Sequence, residues 1–222
     1  IAGLVRVGGD FSFEKGAAAS GLSIVKVGAR NVSFSLGDGT TNYVSVTNGS
    51  GAFLVTSAGV AGTLTATVSL TNVPGVSINQ STFTVTFNNL TQAVNETFAV
   101  GASSVTLNAK AGPFISVAAS PLNVTVLGVM MSGNFAFEQY TTASGKVVII
   151  SASNISINNF SGSGTGGSAI SITNARGLFV ITSTGTAGSL SFTAAADFGI
   201  FSAGATVKLE INNTGQAIKA TG

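Results

Sequence analysis

Few side chains in this sequence could carry out acid–base chemistry. The chain has no histidine and no cysteine, so general acid–base catalysis would fall to lysines and carboxylates. The seven carboxylates are Asp10, Glu14, Asp38, Glu96, Glu138, Asp197 and Glu210. Asp10 and Glu14 are four residues apart in an apparent strand, which places them on one face but well separated along it. Because the sequence also has no phosphate loop and no nucleophile elbow, we predict no enzyme and no catalytic residue.

Two of these carboxylates recur in equivalent places and could hold a cation. Glu14 in FSFEK and Glu138 in FAFEQ could bind Ca²⁺, or Glu14 could pair with Lys15. A solvated charge at a strand end, or a pair across neighbouring strands, accounts for them better. The segment LGDGTTN (36–42) has one carboxylate, whereas Ca²⁺ needs several oxygen ligands at set spacings. We therefore predict a glycine-rich turn there, and no metal or cofactor anywhere.

Rows of hydroxyls and repeated asparagines are the remaining polar patterns. Thr63, Thr65 and Thr67 would share one strand face, as would Thr82, Thr84 and Thr86. Ice or sugar binding would need matching rows on successive strands, and the later part of the chain does not keep them, so we predict a solvated outer face. Asn-X-Ser/Thr occurs at Asn31, Asn48, Asn79, Asn89, Asn95, Asn123, Asn154, Asn159 and Asn212. These are glycan acceptors if the source glycosylates, and otherwise turn and corner asparagines.

The composition restricts the classes of partner. Only 7% of residues are charged, against roughly 25% in ordinary soluble domains, and the net charge is +2. The basic residues are scattered, so we expect no nucleic-acid partner. No uncharged apolar run reaches the length of a membrane helix, so we expect no membrane span. This neutral chemistry, rich in Ser, Thr, Asn and Gly, favours an extracellular or cell-surface location.

Long stretches of the sequence occur twice. TNGSGAFLVTSAGVAGTL (47–64) returns as TNARGLFVITSTGTAGSL (173–190), and GGDFSFEKG (8–16) returns as SGNFAFEQY (132–140). TFTVTFNNLTQAV (82–94) likewise returns as TVKLEINNTGQAI (206–218). The offset stays near 124 residues throughout. We interpret residues 1–128 as a first copy with an incomplete start and residues 129–222 as a second with an incomplete end, both cut from a longer array.

A shorter rhythm lies within each copy. The first copy divides into seven lines of about 16 to 19 residues, each with one or two period-2 apolar runs, a small-residue corner and a Gly/Asn/Ser turn. The lines are 24–42, 43–59, 60–75, 76–93, 94–112, 113–129 and 130–146. All-β structure follows from the alternation. The constant line length favours a β-solenoid-like stack of coils, and two tandem antiparallel β-sandwich domains are the alternative.

Taken in order, several segments have a familiar pattern. They are GGDFSFEKG, VKVGARNVSFSLGDGT, VTNGSGAFLVTSAGVAGTL, NNLTQAVNETFAVG and LNAKAGPFISVAASPLNVTVLG. The pattern resembles the tandem β-strand repeats of very large bacterial surface and secreted, adhesin-like proteins. The likeness covers nearly the whole chain and departs at NNFSGSGTGGS (158–168), which lengthens one turn. The resemblance implies a structural or adhesive role outside the cell and carries no catalytic residues.

These observations predict a structural segment of an extracellular bacterial surface fibre, filament or giant adhesin. Its partners would be copies of itself or adjacent repeats, joined end to end through β-strand edges or by strand donation from a segment such as 1–7. The alternative is an adhesive module that binds cell-surface glycans, which would need a concave site lined by aromatic or carboxylate side chains. The chain offers little for such a site, because it has no tryptophan and two tyrosines.

Overall fold

The computed structural model describes residues 5–17, 23–37, 40–74, 76–100, 102–126, 129–161, 169–197 and 202–217. Its regular elements are β-strands, so the all-β prediction is confirmed. The strands are β1 (Val5–Ala17), β2 (Ser23–Gly37), β3 (Asn42–Thr56), β4 (Gly59–Val73), β5 (Val76–Asn88), β6 (Val94–Val100), β7 (Ser103–Ala109), β8 (Phe114–Val126), β9 (Val129–Thr142), β10 (Gly145–Ser161), β11 (Ala169–Thr182), β12 (Gly185–Asp197) and β13 (Ser202–Asn212).

Eleven of these strands form one open antiparallel sheet. Its order is β1-β2-β3-β4-β5-β8-β9-β10-β11-β12-β13, and β6 and β7 form a separate two-stranded hairpin. Six of the seven sequence lines each contain one strand of the large sheet, and the line 94–112 contains the hairpin. The predicted spacing of strands and turns is therefore present. Neither a solenoid of coils nor a pair of sandwich domains is confirmed by this arrangement.

Tight turns between neighbouring strands explain the antiparallel direction. The segments Thr56–Gly59, Thr142–Gly145 and Thr182–Gly185 each place two residues between paired strand ends. In each turn the threonine Oγ1 accepts a backbone N–H two residues later, at 3.1 to 3.3 Å. The glycine that ends each turn has a φ between 116° and 152°, a backbone conformation that residues with a side chain rarely adopt. Two-residue connections can join antiparallel strands only.

The predicted small-residue corners are bulges inside long strands. Asn31, Asn48, Asn154 and Asn174 have φ values of 53° to 55°, and the strand pairing shifts beside each of them. Asparagine tolerates this left-handed conformation because its short amide can hydrogen-bond locally. The two apolar runs of a line therefore continue as one strand of up to 17 residues. Three of these asparagines belong to the Asn-X-Ser/Thr set.

The second copy repeats the strand arrangement of the first. β9 to β13 occupy the same order as β1 to β5, and the bulge asparagines recur at equivalent positions. The proposed boundary after residue 128 follows residues 127 and 128, which lie outside the described residues. On either side of it, β8 and β9 pair from Phe114–Tyr140 to Val126–Val129. The sheet is thus continuous from one copy into the next.

The hairpin packs on one face of the first copy and forms the main core with it. We call this the hairpin face; it carries Lys26 of β2, Ala52 and Leu54 of β3, Ala61 of β4 and Asn88 of β5, which the cross-strand pairing aligns. The hairpin contributes four side chains to this core, Val94, Phe98, Leu107 and Ala109, and Val100 is buried beside it. Small residues on the sheet permit this approach: a Cβ on Gly28 would lie 2.3 Å from Val100 Cγ2.

A buried amide fixes the chain where it leaves the sheet for the hairpin. Asn88 is 1% exposed, and its Nδ2 donates to the carbonyl oxygens of Gln92 and Lys110, each at 2.8 Å. Its Oδ1 accepts the Leu90 N–H at 2.8 Å. One side chain therefore holds both ends of the hairpin segment, and every polar atom of the amide group has a partner. Buried amides are costly when left unpaired, so this is a specific anchor.

We predict that Asn88→Ala lowers the free energy of unfolding by about 2–4 kcal/mol, because two carbonyls and one N–H lose their partner. Asn212→Ala is the matched control. Asn212 makes the equivalent bonds to Gln216 and Thr214 but is exposed, so its loss should cost less than about 1 kcal/mol. Urea denaturation measures both values. Equal costs at the two sites would show that Asn88 is not an anchor.

Candidate interaction surfaces

Four of the carboxylates considered for catalysis, Asp10, Glu96, Glu138 and Glu210, pair with polar or basic side chains. Asp10 accepts a hydrogen bond from Asn31 Nδ2 at 2.7 Å, and Glu96 forms an ion pair with Lys26 at 3.3 Å. No group of three acidic, histidine or cysteine side chains that could hold a metal occurs among the described residues. Asp38 and Gly39 of the LGDGTTN turn lie outside those residues. Asp10 and Glu96 thus link neighbouring elements, β1 with β2 and β6 with β2.

The recurring glutamates differ in their neighbours. Glu138 on β9 pairs with Lys110, which follows β7, so this pair joins the hairpin to the sheet. Glu14 on β1 lies opposite Lys26 of β2, and Lys15 points to the other face of the same strand. Asp10 and Glu14 share the hairpin face, as the spacing predicts. The glutamate at the second position therefore pairs with a residue that follows the hairpin, and not with one on a neighbouring strand.

The threonine rows form a ladder of cross-strand pairs on the hairpin face. Thr63 lies opposite Thr86 and Thr65 opposite Thr84, with Oγ1–Oγ1 distances of 3.0 and 2.9 Å. The hydroxyls of these two pairs bond to each other, and the rows span β4 and β5. In the second copy Ser189 lies opposite Glu210, so the ladder is not repeated there. The rows stabilise the strand pair.

The other face of the sheet is a wide apolar surface, which we call the apolar face. Its side chains alternate with those of the hairpin face along every strand. The most exposed of them, each at least 37% exposed, are Phe11, Phe13, Val25, Leu36, Val55, Ile115, Ile150, Ile181, Leu209 and Ile211. They come from seven of the eleven strands. Patches of this width are typical of interaction surfaces.

Aromatic rings cover glycines on the apolar face in both copies. The rings of Phe53 and Phe87 have centroids 6.3 Å apart, and a Cβ on Gly62 between them would lie 2.4 Å from Phe53. In the second copy a Cβ on Gly188 would lie 2.4 Å from Phe179. Lys15 and Lys146 are the charged side chains of this face within the described part of the chain, and both lie near turns. The face is therefore apolar except at its margin.

Both outer strands of the sheet have a free edge. β1 pairs with β2 and β13 pairs with β12, and neither has a second neighbour among the described residues. β13 carries Lys208 and Glu210 on its hairpin face, with a side-chain ion pair of 2.8 Å. Its other face carries Val207, Leu209 and Ile211. An edge of this kind can pair with a further strand.

The sequence predicted some of these features and missed others. Free strand edges were expected, whereas the apolar face was not. The signal for it was present, because apolar residues occupy alternate positions along most lines. The glycan-binding alternative stays a prediction; Tyr140, one of the two tyrosines, packs against the core under the hairpin.

Comparison with known proteins gives no information on these surfaces. No protein-family model, no curated protein and no solved structure matches this chain. In the part of the chain that the structure describes, no helix has the length and apolar character needed to cross a bilayer.

We predict that the folded protein binds an apolar fluorescent dye such as anilinonaphthalene sulfonate without denaturant, because the apolar face is open to solvent. Phe13→Asp and Leu209→Asp should each reduce the fluorescence, since these side chains are 74% and 55% exposed on that face. Thr206→Asp adds the same charge to the opposite face of β13 and should leave it unchanged. No dye binding, or equal loss with Thr206→Asp, would contradict the assignment.

Proposed function

We propose that this chain is a structural repeat segment of an extracellular bacterial surface fibre, filament or giant adhesin. The observation that carries the proposal is the unbroken sheet. Backbone pairing passes from β8 of the first copy to β9 of the second in the same antiparallel manner as within each copy. Adding a copy of the sequence therefore adds strands to the same sheet and lengthens it.

The number of strands in a copy supports this mode of growth. The first copy places six strands in the sheet, β1 to β5 and β8, while its hairpin lies on the hairpin face. In an antiparallel sheet the strand direction alternates, so an even number returns the chain to its starting direction. β9 thus runs in the same direction as β1 and can begin an equivalent copy. An odd number would reverse each successive copy.

The side-chain chemistry agrees with a role outside the cell. Charged residues make up 7% of the chain, so hydroxyl and amide groups supply most of its polar side chains. The sheet holds its strands by backbone pairing and the hairpin core, and the chain has no cysteine for disulfides. These features, with the resemblance to adhesin-like repeats, support an extracellular location.

Copies would associate through the edge of β13. The sheet has eleven strands, so β1 and β13 run in the same direction, and a head-to-tail contact between them would be parallel. Two copies related by a two-fold axis normal to the sheet would instead pair β13 with β13 antiparallel. With Leu209 opposite its counterpart, each Lys208 faces a Glu210 of the partner copy. Val207 then faces Ile211 on the apolar face.

Strand donation from residues 1–7 is the other route to association. Residues 1–4 lie outside the described part of the chain. Val5 is the partner of Leu36 in the pairing of β1 with β2. Donation would have to break this pairing, whereas edge pairing of β13 breaks none. We therefore base the test on β13.

We predict a concentration-dependent dimer in sedimentation equilibrium. Lys208→Glu and Glu210→Lys should each weaken it by about tenfold, because two favourable cross-strand pairs become two like-charge pairs. The double variant Lys208→Glu/Glu210→Lys should restore dimerisation, since it only exchanges the two partners. High salt should reduce these differences because the side chains are exposed.

Lys146→Glu provides the control for this experiment. Lys146 is an exposed residue of β10, inside the sheet and on the opposite face from Lys208, so its reversal should not change the dimer. A protein that stays monomeric at high concentration would overturn the edge contact. Dimerisation that is indifferent to both single reversals would overturn the proposed alignment of β13 with its copy.

A further inference from the structure

A groove on the hairpin face of the second copy corresponds to the surface that the hairpin covers in the first. It measures about 400 Å³, and its lining includes Leu178 and Val180 of β11, Ala187 of β12, and Glu210 and Asn212 of β13. Four of these residues have counterparts under or beside the hairpin in the first copy. In the order given, Leu178, Val180, Ala187 and Asn212 correspond to Ala52, Leu54, Ala61 and Asn88.

The turn after β13 repeats the turn that leads into the hairpin. Asn212 Nδ2 donates to Gln216 O at 2.8 Å, as Asn88 Nδ2 does to Gln92 O. Asn212 Oδ1 accepts the Thr214 N–H at 3.1 Å, as Asn88 Oδ1 accepts the Leu90 N–H. The next asparagines also match, because Asn89 and Asn213 accept from Val60 and Thr186 of the preceding strand. The chain thus leaves β5 and β13 by the same geometry.

The sequence after this turn is matched to the altered groove. In the first copy Lys26 pairs with Glu96 of the hairpin and lies 5.8 Å from the ring of Phe98. The second copy has Ile149 in place of Lys26. Residues 218–222 lie outside the described part of the chain; in sequence, Ala220 stands where the first copy has Glu96. The positive and the negative member of the pair are therefore replaced together.

Side-chain size changes in the same matched way. Ala52 and Phe98 belong to the same buried cluster in the first copy, and Leu178 stands in place of Ala52 in the second. Gly222 stands in sequence where the first copy has Phe98. In the second copy, a glycine thus stands at the position of the Phe98 ring, and a larger side chain stands on the sheet at the position of Ala52. Paired changes of charge and of volume are expected of two surfaces that pack together.

We propose that this groove is the docking site for a β-hairpin that enters from the turn after β13 and begins with the sequence of residues 218–222. Its apolar side chains would alternate as in β6 and β7 and face Val180 and Leu178. The first strand would be uncharged where Glu96 stands in the first copy. Glu210 lines this groove and also belongs to the dimer contact proposed for β13, so the two proposals are tested by different measurements.

The test extends the chain after Gly222 with a second copy of residues 99–113, which completes a hairpin, and introduces one cysteine pair. In the first copy a Cβ on Gly28 would lie 3.6 Å from Val100 Cβ, within the range for a disulfide. The equivalent pair is Ser151→Cys with a cysteine at the appended counterpart of Val100. Because the chain has no cysteine of its own, a cross-link reports on this contact alone.

We expect an intramolecular disulfide that forms at least about tenfold faster than with Ala152→Cys, whose side chain points to the apolar face. Gly28→Cys with Val100→Cys in the unextended chain is the positive control. Val180→Asp should slow the cross-link by burying a charge, and Ile181→Asp, on the opposite face of the same strand, should not. Circular dichroism checks that each variant is folded.

Two results would overturn the proposal. Equal rates for Ser151→Cys and Ala152→Cys would mean that the hairpin does not dock in the groove. A disulfide that forms only between molecules would mean that the groove takes a hairpin from a second copy. Either result leaves the dimerisation experiment on β13 unaffected, so the two proposals can fail separately.

Discussion

Backbone pairing between sequence neighbours is the interaction on which the rest of this structure depends. Ten antiparallel pairings join the eleven strands, and short turns such as Thr56–Gly59 keep most of the partners consecutive in the chain. The exception is β5, which pairs with β8 although β6 and β7 lie between the two strands in the chain. Because the pairing requires no particular side chain, the sequence can be rich in Gly, Ser, Thr and Asn and still specify long strands. Repetition then extends one sheet.

A single sheet has two faces, and in this protein the two faces carry different side chains. The first copy covers part of its hairpin face with β6 and β7, where Asn88 and the pair of Lys26 and Glu96 fix the hairpin. Within the described residues, no hairpin covers the apolar face. Phenylalanine rings on that face lie over glycines such as Gly62. Packed layers are the usual way in which proteins bury such a face.

The strand spacing could be predicted from the sequence, because each line needs one strand and one turn whatever the fold. Strand direction could not, since a solenoid coil and an antiparallel strand with its turn have similar lengths. Asn31 and Asn48 suggested corners, but an asparagine in the left-handed conformation also makes a bulge that keeps the strand straight enough to continue. The line 94–112 has Gly101 between β6 and β7, but the line 43–59 also has a central glycine, Gly51, within the continuous strand β3, so a central glycine did not distinguish a hairpin from a long strand. The position of the hairpin over β2 to β4 depends on tertiary packing.

If copying the sequence lengthens one sheet, small-angle X-ray scattering will detect growth of the molecule in one dimension. Chains extended after Gly222 by one and then two blocks of residues 99–222 would be compared with the original. Each block adds six strands to the sheet, so the maximum dimension should rise by about 29 Å per block, with an unchanged cross-section. Growth in cross-section, or scattering from separate bodies joined by flexible segments, would contradict the account.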